Sequence, residues 1–216
     1  MNPDSLIDFS KSRLLQRYPT LTTCSKDIIS TVRTIYDTFS SGGKLLVMGN
    51  GGSSCDAEHF CGELIKGFLD KRKIVSGALY DRLESVEKGL AAQLQGSLPA
   101  ISLGVAHGGI SAINNDMNPE YVFAQQILGL ANDVDTVFGI STSGNSKNVY
   151  RGLQVAKAKG AKTIVMTGGK PSLCSEIADI TIRTPASYVH EIQELHLPVY
   201  HAICLELEHL FFGENL

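Results

Sequence analysis

The sequence predicts a single α/β domain, a parallel sheet covered by helices on both faces, and three observations carry the prediction. Short, continuous apolar runs recur at residues 45–48, 101–105, 136–140, 163–167 and 180–182. Stretches of helical period separate most of them, the plainest being 148–159 before the turn at Gly160. Strands that are apolar throughout, rather than alternating, belong to sheets buried on both sides. The third observation is what the 216 residues lack: no repeat, linker or low-complexity segment divides them. A chain of that length fits one domain, 1–216, able to bury roughly 70% of its unfolded surface.

Residues 1–40 read as an N-terminal helical arm. Leu6, Phe9, Leu14 and Leu15, then Ile28, Ile29, Val32 and Ile35, fall at helical spacing. Two helices are expected, parted near Tyr18-Pro19, because proline disfavours helix at the residue before it. At the other end, 188–212 reads as a long helix whose stripe Ile192, Leu195, Val199, Ile203, Leu207 and Leu210 suits core or subunit packing. A net charge of -3 gives no basic footprint, so nucleic acid is not the expected partner. No apolar run approaches the roughly 20 residues of a membrane span, and MNPDSLIDFS lacks the parts of a secretory signal. The five cysteines are odd in number and show no CxxC pairing, so a disulfide frame is not expected and a reducing cytoplasm is.

In open α/β sheets, ligands sit outside the carboxyl ends of the strands. Two such ends carry suitable loops. STSGNS, residues 141–146, offers the hydroxyls of Ser141, Thr142, Ser143 and Ser146 just before a helix. Free N–H groups and the dipole at a helix start, equivalent to roughly half a positive charge, favour an anion. Ser/Gly clusters are more often plain turns with an N-cap. Four hydroxyls in six positions exceed what capping requires, and phosphate contact is expected here. The loop is neither a Walker loop nor GxGxxG, so a nucleotide is not the first ligand to consider. The other loop, GNGGSS at 49–54, supplies the permissive Gly49, Gly51 and Gly52 and the polar Asn50 and Ser53.

Behind the first loop, His59 and Glu63 are four apart and share a helix face, while Glu58 diverges by about 100°. Near the C-terminus Gln193 and His201 are eight apart, about 80° around an ideal helix. A carboxylate, two imidazoles and an amide oxygen make an N/O set suited to zinc or a similar divalent ion. On spacing alone, an i,i+4 His/Glu pair is more often a surface contact. His107 lies at a strand end where it could touch a ligand but is not counted among the site residues, and His196 and His209 read as ordinary helix residues.

GNGGSSCDAEHFCGEL, NND at 114–116, GISTSGNSKNV and IQELHLPVYH at 192–201 together resemble the sugar isomerase (SIS) domain family, its phosphoheptose isomerases most closely. The resemblance runs from about residue 40 to the C-terminus. It implies a flavodoxin-like sheet of five parallel strands and an aldose–ketose isomerase of the intramolecular oxidoreductase class. The implied reaction takes sedoheptulose 7-phosphate to D-glycero-D-manno-heptose 7-phosphate. It implies that Ser53, Ser141, Thr142, Ser143 and Ser146 hold the phosphate, with Asn50, Gly51, Gly52, Asp116 and Gln193 around the sugar. It implies one zinc per site on His59, Glu63, Gln193 and His201, with Glu63 and His201 also the acid/base pair. It further implies a homotetramer with sites shared between subunits, an arrangement that would let distant Glu63 and His201 meet.

Three features depart from the pattern. Residues 76–98 look like an added or lengthened helix. The basic residue expected after the ELxG stretch has only Lys66 as a stand-in, without arginine's bidentate fork. Pro198 falls between Gln193 and His201, where it removes a helical hydrogen bond. Two other functions stay open: a non-catalytic sugar-phosphate-binding or interaction protein, like the relatives that bind the replication initiator DnaA, and an isomerase of another sugar phosphate. Those binding relatives usually lack equivalents of Glu63 and His201, which favours the enzyme.

Overall fold

A computed structural model describes residues 8–213. Five parallel strands form one sheet: β1 (Leu45–Gly49), β2 (Ala100–Ser102), β3 (Thr136–Ile140), β4 (Lys162–Gly168) and β5 (Ile180–Thr184). Their order is β2-β1-β3-β4-β5. β1 and β3 are buried at every residue. Their alternating side chains feed two cores. Leu45, Val47, Phe138, Ile140, Ile164 and Met166 enter one core; Leu46, Met48, Val137 and Val165 enter the other.

The first core is closed by α1 (Asp8–Arg17), α2 (Ser25–Ser40), α3 (Gly52–Ile65) and α10 (Val189–Phe212). A 3-10 turn, Pro19–Cys24, separates α1 from α2 where the proline was expected to break the helix. The second core is covered chiefly by α7 (Val122–Leu130) and α8 (Lys147–Ala158), with Cys174 of the short α9 (Leu173–Ile177). α10 runs unbroken through the buried Pro198. All five cysteines are free, four of them buried.

Two expectations change in detail. The apolar run 101–105 yields a strand of only three residues, because β2 is an edge strand: Ala100 and Ser102 are buried while Ile101 and Val105 face outward. Segment 76–98 forms two pieces, α4 (Ala78–Val86) and α5 (Leu90–Gln93), instead of one helix. Gly89 breaks it with a left-handed φ of 88°, and the Glu84 carboxylate accepts from the N–H groups of Gly89 and Ala91. No α4 residue is buried, and a bridge between Lys73 and Gln95 closes the excursion at its base. A further exposed helix, α6 (His107–Asp116), follows β2. No helix of the described residues is long and apolar enough to cross a membrane.

Candidate active site

The strand order reverses between β1 and β3, the position at which such sheets bind ligands. Gly49 pairs with Ile140 at the carboxyl ends of these strands, so the two loops emerge side by side. They are bolted together: Asn50 donates to Asn148 and Asn148 donates back, each at 2.9 Å. Asn148 also accepts from the Val149 N–H in the first turn of α8.

The second loop is held in one shape by its own polar groups. Ser141 is buried, and its hydroxyl lies 3.0 Å from that of Ser146. Ser146 is the N-cap of α8 but makes no side-chain cap, which leaves its hydroxyl to the loop. Gly144 has a φ of +64°, and a Cβ there would collide with Ser172 and Thr167. Asn145 bonds the Ser143 hydroxyl through its N–H and the Leu173 N–H through its carbonyl oxygen, tying the loop to α9. Ser143 itself is exposed and Thr142 half-buried. Hydroxyls, a glycine turn and a helix start therefore surround a space chemically suited to a phosphate. On the first loop Gly51 starts α3 at a φ of 55° without a side-chain cap, and Ser53 is buried in its first turn.

α3 and α10 lie side by side and run in the same direction. Gln193 rests on Gly52, where a Cβ would strike its amide. Two turns further on, His201 meets His59, ring centroids 4.9 Å apart and nearly perpendicular. His59 Nε2 lies 3.2 Å from Glu63 Oε1, and Lys66 donates to the other carboxylate oxygen at 2.6 Å. On the far side of the His59 ring, Nδ1 is 3.0 Å from the Tyr200 hydroxyl, which donates to Asp56 at 3.4 Å. The Phe68 ring packs 5.2 Å from that of His201. Thus Glu63, His59 and His201 come together within one chain. Burial lowers the proton affinity of His201 and the His59 charge adds to this, while the Glu63 carboxylate opposes both; the imidazole is held neutral further down the pH scale than usual.

The other expected residues separate from this cluster. Eight helical residues rise about 12 Å, so Gln193 sits at the loop end of the wall, about two turns from His201. Asp116 closes α6 at the surface, where its carboxylate accepts from Asn115 at 2.8 Å. His107 is exposed at the start of α6, and Glu58 is exposed beside His59. His201 Nε2 is buried without a partner, as expected of a donor awaiting a ligand. Yet among the described residues no three of His, Cys, Asp and Glu are placed to hold a metal. The donor types suit zinc; their placement in one chain does not assemble the set of four.

The SIS domain family model matches residues 108–205, which include the hydroxyl loop and both Gln193 and His201. A phosphoheptose isomerase from Geotalea daltonii is 38% identical over 191 residues, covering 88% of each chain. The chain belongs to the SIS-domain phosphoheptose isomerase family. A probable phosphoheptose isomerase from Thermoplasma acidophilum is likewise 38% identical, over 85% of this chain and 88% of its own. Among solved structures, a phosphoheptose isomerase from Francisella tularensis superposes with a TM-score of 0.75 at 25% identity, covering 97% of this chain and 99% of that one. One from Neisseria gonorrhoeae gives 0.72 at 25% identity over 92% of both.

Asn148, Tyr200 and Arg72, which the sequence reading passes over, bond candidate residues: Asn50, His59 and the Glu63 carbonyl respectively. Asn148 had a signal, since it is the next amide after STSGNS. Arg72 had none. It is fully buried, pairs with Glu208 at 2.7 Å, and donates to the main-chain carbonyls of Leu64 at 2.7 Å and Glu63 at 3.1 Å. The basic group at the end of α3 is therefore an arginine reaching backbone, while Lys66 reaches the Glu63 carboxylate.

Proposed function

We propose that this chain is an aldose–ketose isomerase of a sugar phosphate, converting sedoheptulose 7-phosphate to D-glycero-D-manno-heptose 7-phosphate. The observation that carries this reading is the gathering of Glu63 and His201 about His59 on two helices, one of which springs from the loop beside the hydroxyl loop. The phosphate would lie against Ser53, Ser141, Thr142, Ser143 and Ser146. The sugar would extend past Asn50, Gly51, Gly52 and Gln193, with Asp116 at its rim. Glu63 takes the proton from C1 and returns it to C2 of the enediol. His201 gives a proton to the C2 oxygen and receives the one leaving the C1 hydroxyl. No proton or electron is gained or lost overall. Each acid/base contribution is typically worth roughly 10²–10⁴-fold.

Zinc is a separate part of the proposal, supported by donor types and by the unpartnered His201 Nε2. No step above is routed through it, because the donors do not converge as they stand. Metal analysis of the purified protein, with His59→Ala and His201→Ala alongside, tests it: about one zinc per site lost in both variants is expected, and metal-free wild type ends it. A cytoplasmic homotetramer with shared sites also belongs to the proposal. Seven residues of α3 place His59 about 10 Å beyond Gly52, a gap that a neighbouring copy's wall would shorten. Mixing Glu63→Gln with a hydroxyl-loop variant would then restore activity neither has alone.

The deciding experiment is incubation with ketose 5-, 6- and 7-phosphates in deuterated water. Deuterium uptake and aldose formation, greatest with the heptulose, are expected. Binding without exchange for every sugar would make the chain a non-catalytic sugar-phosphate binder, and a faster hexose or pentose would move the substrate.

A further inference from the structure

Beneath Glu63 and His201 lies a buried ion pair that reaches both elements that carry them. Arg72 and Glu208 are 2% and 4% exposed. Glu208 Oε1 accepts from Arg72 Nε and the Phe68 N–H, both at 2.7 Å. Its Oε2 accepts from the N–H groups of Leu69 at 2.8 Å and Asp70 at 3.1 Å. One carboxylate thus gathers three successive backbone amides of the turn that follows α3. Arg72 uses its remaining nitrogens on the last carbonyls of α3, including that of Glu63 itself, and lies over the Phe212 ring at 4.9 Å. Among the described residues it is the one non-glycine with a left-handed φ, 44°. A bulky side chain in that conformation persists only where its surroundings fix it.

The consequences run to both reacting groups. Holding the Glu63 carbonyl fixes the last turn of α3, and with it the root of the carboxylate. Holding the Phe68 amide fixes the ring that packs 5.2 Å from the His201 ring. Glu208 stands on the same helix as His201, so the pair clamps the end of α3 to α10 directly. A surface contact would not require this many satisfied donors. An ion pair kept only for stability is replaceable, because well-packed apolar residues often serve as well or better.

We infer that Arg72 and Glu208 are positioning residues for the isomerisation, setting the separation of the Glu63 carboxylate from the His201 imidazole. This rests on the isomerase reading above. A displacement of about 1 Å between reacting groups can cost up to about 100-fold in rate, whereas the hydroxyl loop, hung from β3 at the other end of the wall, should keep its hold on phosphate.

The test is Arg72→Lys and Glu208→Gln in the full chain, with kcat, KM and affinity for inorganic phosphate measured beside wild type, and folding followed by thermal melting. Arg72→Lys keeps the charge and can keep the ion pair, but one ammonium cannot also bridge two carbonyls. The expected result is a kcat lowered about 10- to 100-fold in folded protein, with KM and phosphate affinity within about twofold. Wild-type kcat in either folded variant would overturn the inference. So would equal losses of kcat and phosphate affinity, or unfolding of both variants, since these mark the pair as a fold determinant only. An inactive wild type, by contrast, sinks the isomerase reading itself.

Discussion

The hydroxyl loop and the α3–α10 wall are built in opposite ways. The loop is local: its hydroxyls, its obligatory glycine and its helix start all fall within 141–148, and much of its hydrogen bonding stays within a few residues. The wall is assembled from afar. Tyr200 and His59 are 141 residues apart in sequence, and Arg72 and Glu208 are 136 apart. Loop chemistry is donor geometry toward a fixed anion, which sets binding. Wall chemistry is the relative placement of two proton-carrying groups, which sets turnover. Substitutions should therefore divide, the wall moving kcat and the loop moving KM.

The largest effect expected is at Glu63. Glu63→Gln keeps shape and can keep the Lys66 side as neighbour, but it removes the base. Turnover should fall by roughly 10²–10⁴-fold, with deuterium exchange lost in parallel and sugar-phosphate affinity within a few-fold. Strongly weakened binding with unchanged turnover of bound substrate would place Glu63 among the loop's functions and dissolve the division.

His196 lies between the two regions, on α10 against the end of β4, and sharpens the contrast with His201 five residues on. It is completely buried and neither ring nitrogen has a hydrogen-bond partner. Burial lowers its pKa from 6.5 to about 4, and the Thr167 main chain beside it opposes this in part. The unfolded chain therefore binds a proton that the folded chain refuses. Stability is complete above about pH 6.5 and declines as pH falls toward 4, by about 3 kcal/mol in all. Chemical denaturation of wild type and His196→Phe across that range should show the slope disappear in the variant, with kcat near neutral pH little changed. A slope that survives the substitution would assign the acid sensitivity elsewhere.

This contrast also explains what was legible in the sequence. Five apolar runs and the two Ser/Gly loops are local patterns, and the sheet and both loops follow from them. Edge position is not local, so Ile101 and Val105 read as buried when they face outward. Gln193 and His201 were related by their angle around the helix, but their axial rise, about 12 Å, decides which neighbours they meet. Arg72 stands in the unremarkable run FLDKRK, and only the folded turn brings the Glu63 carbonyl and Glu208 to it. Sequence spacing identifies residues that share a helix face; it carries no record of which helix lies opposite.

Within the loop, Gly144→Ala tests backbone shape. An alanine must adopt φ +64° and meets Ser172 and Thr167. Strain of this kind costs on the order of 1–3 kcal/mol, and relief by shifting the loop should raise KM about tenfold while kcat changes little. A drop in kcat at unchanged KM would mean the loop reaches into the chemistry.

The smallest effect separates two serines of that loop. Ser143 is exposed, and its hydroxyl accepts from the Asn145 N–H at 3.1 Å, leaving its own proton free for an anion. Ser141 is buried and spends its hydroxyl on Ser146. Removing a single hydrogen bond to a ligand costs about 1 kcal/mol, so Ser143→Ala should raise KM roughly fivefold and leave the melting temperature and kcat where they were. Ser141→Ala should lower the melting temperature as well, because it leaves the Ser146 hydroxyl without its loop partner. Equal behaviour of the two variants would mean that the loop's hydroxyls act on the ligand through the solvent rather than through the fixed geometry seen here.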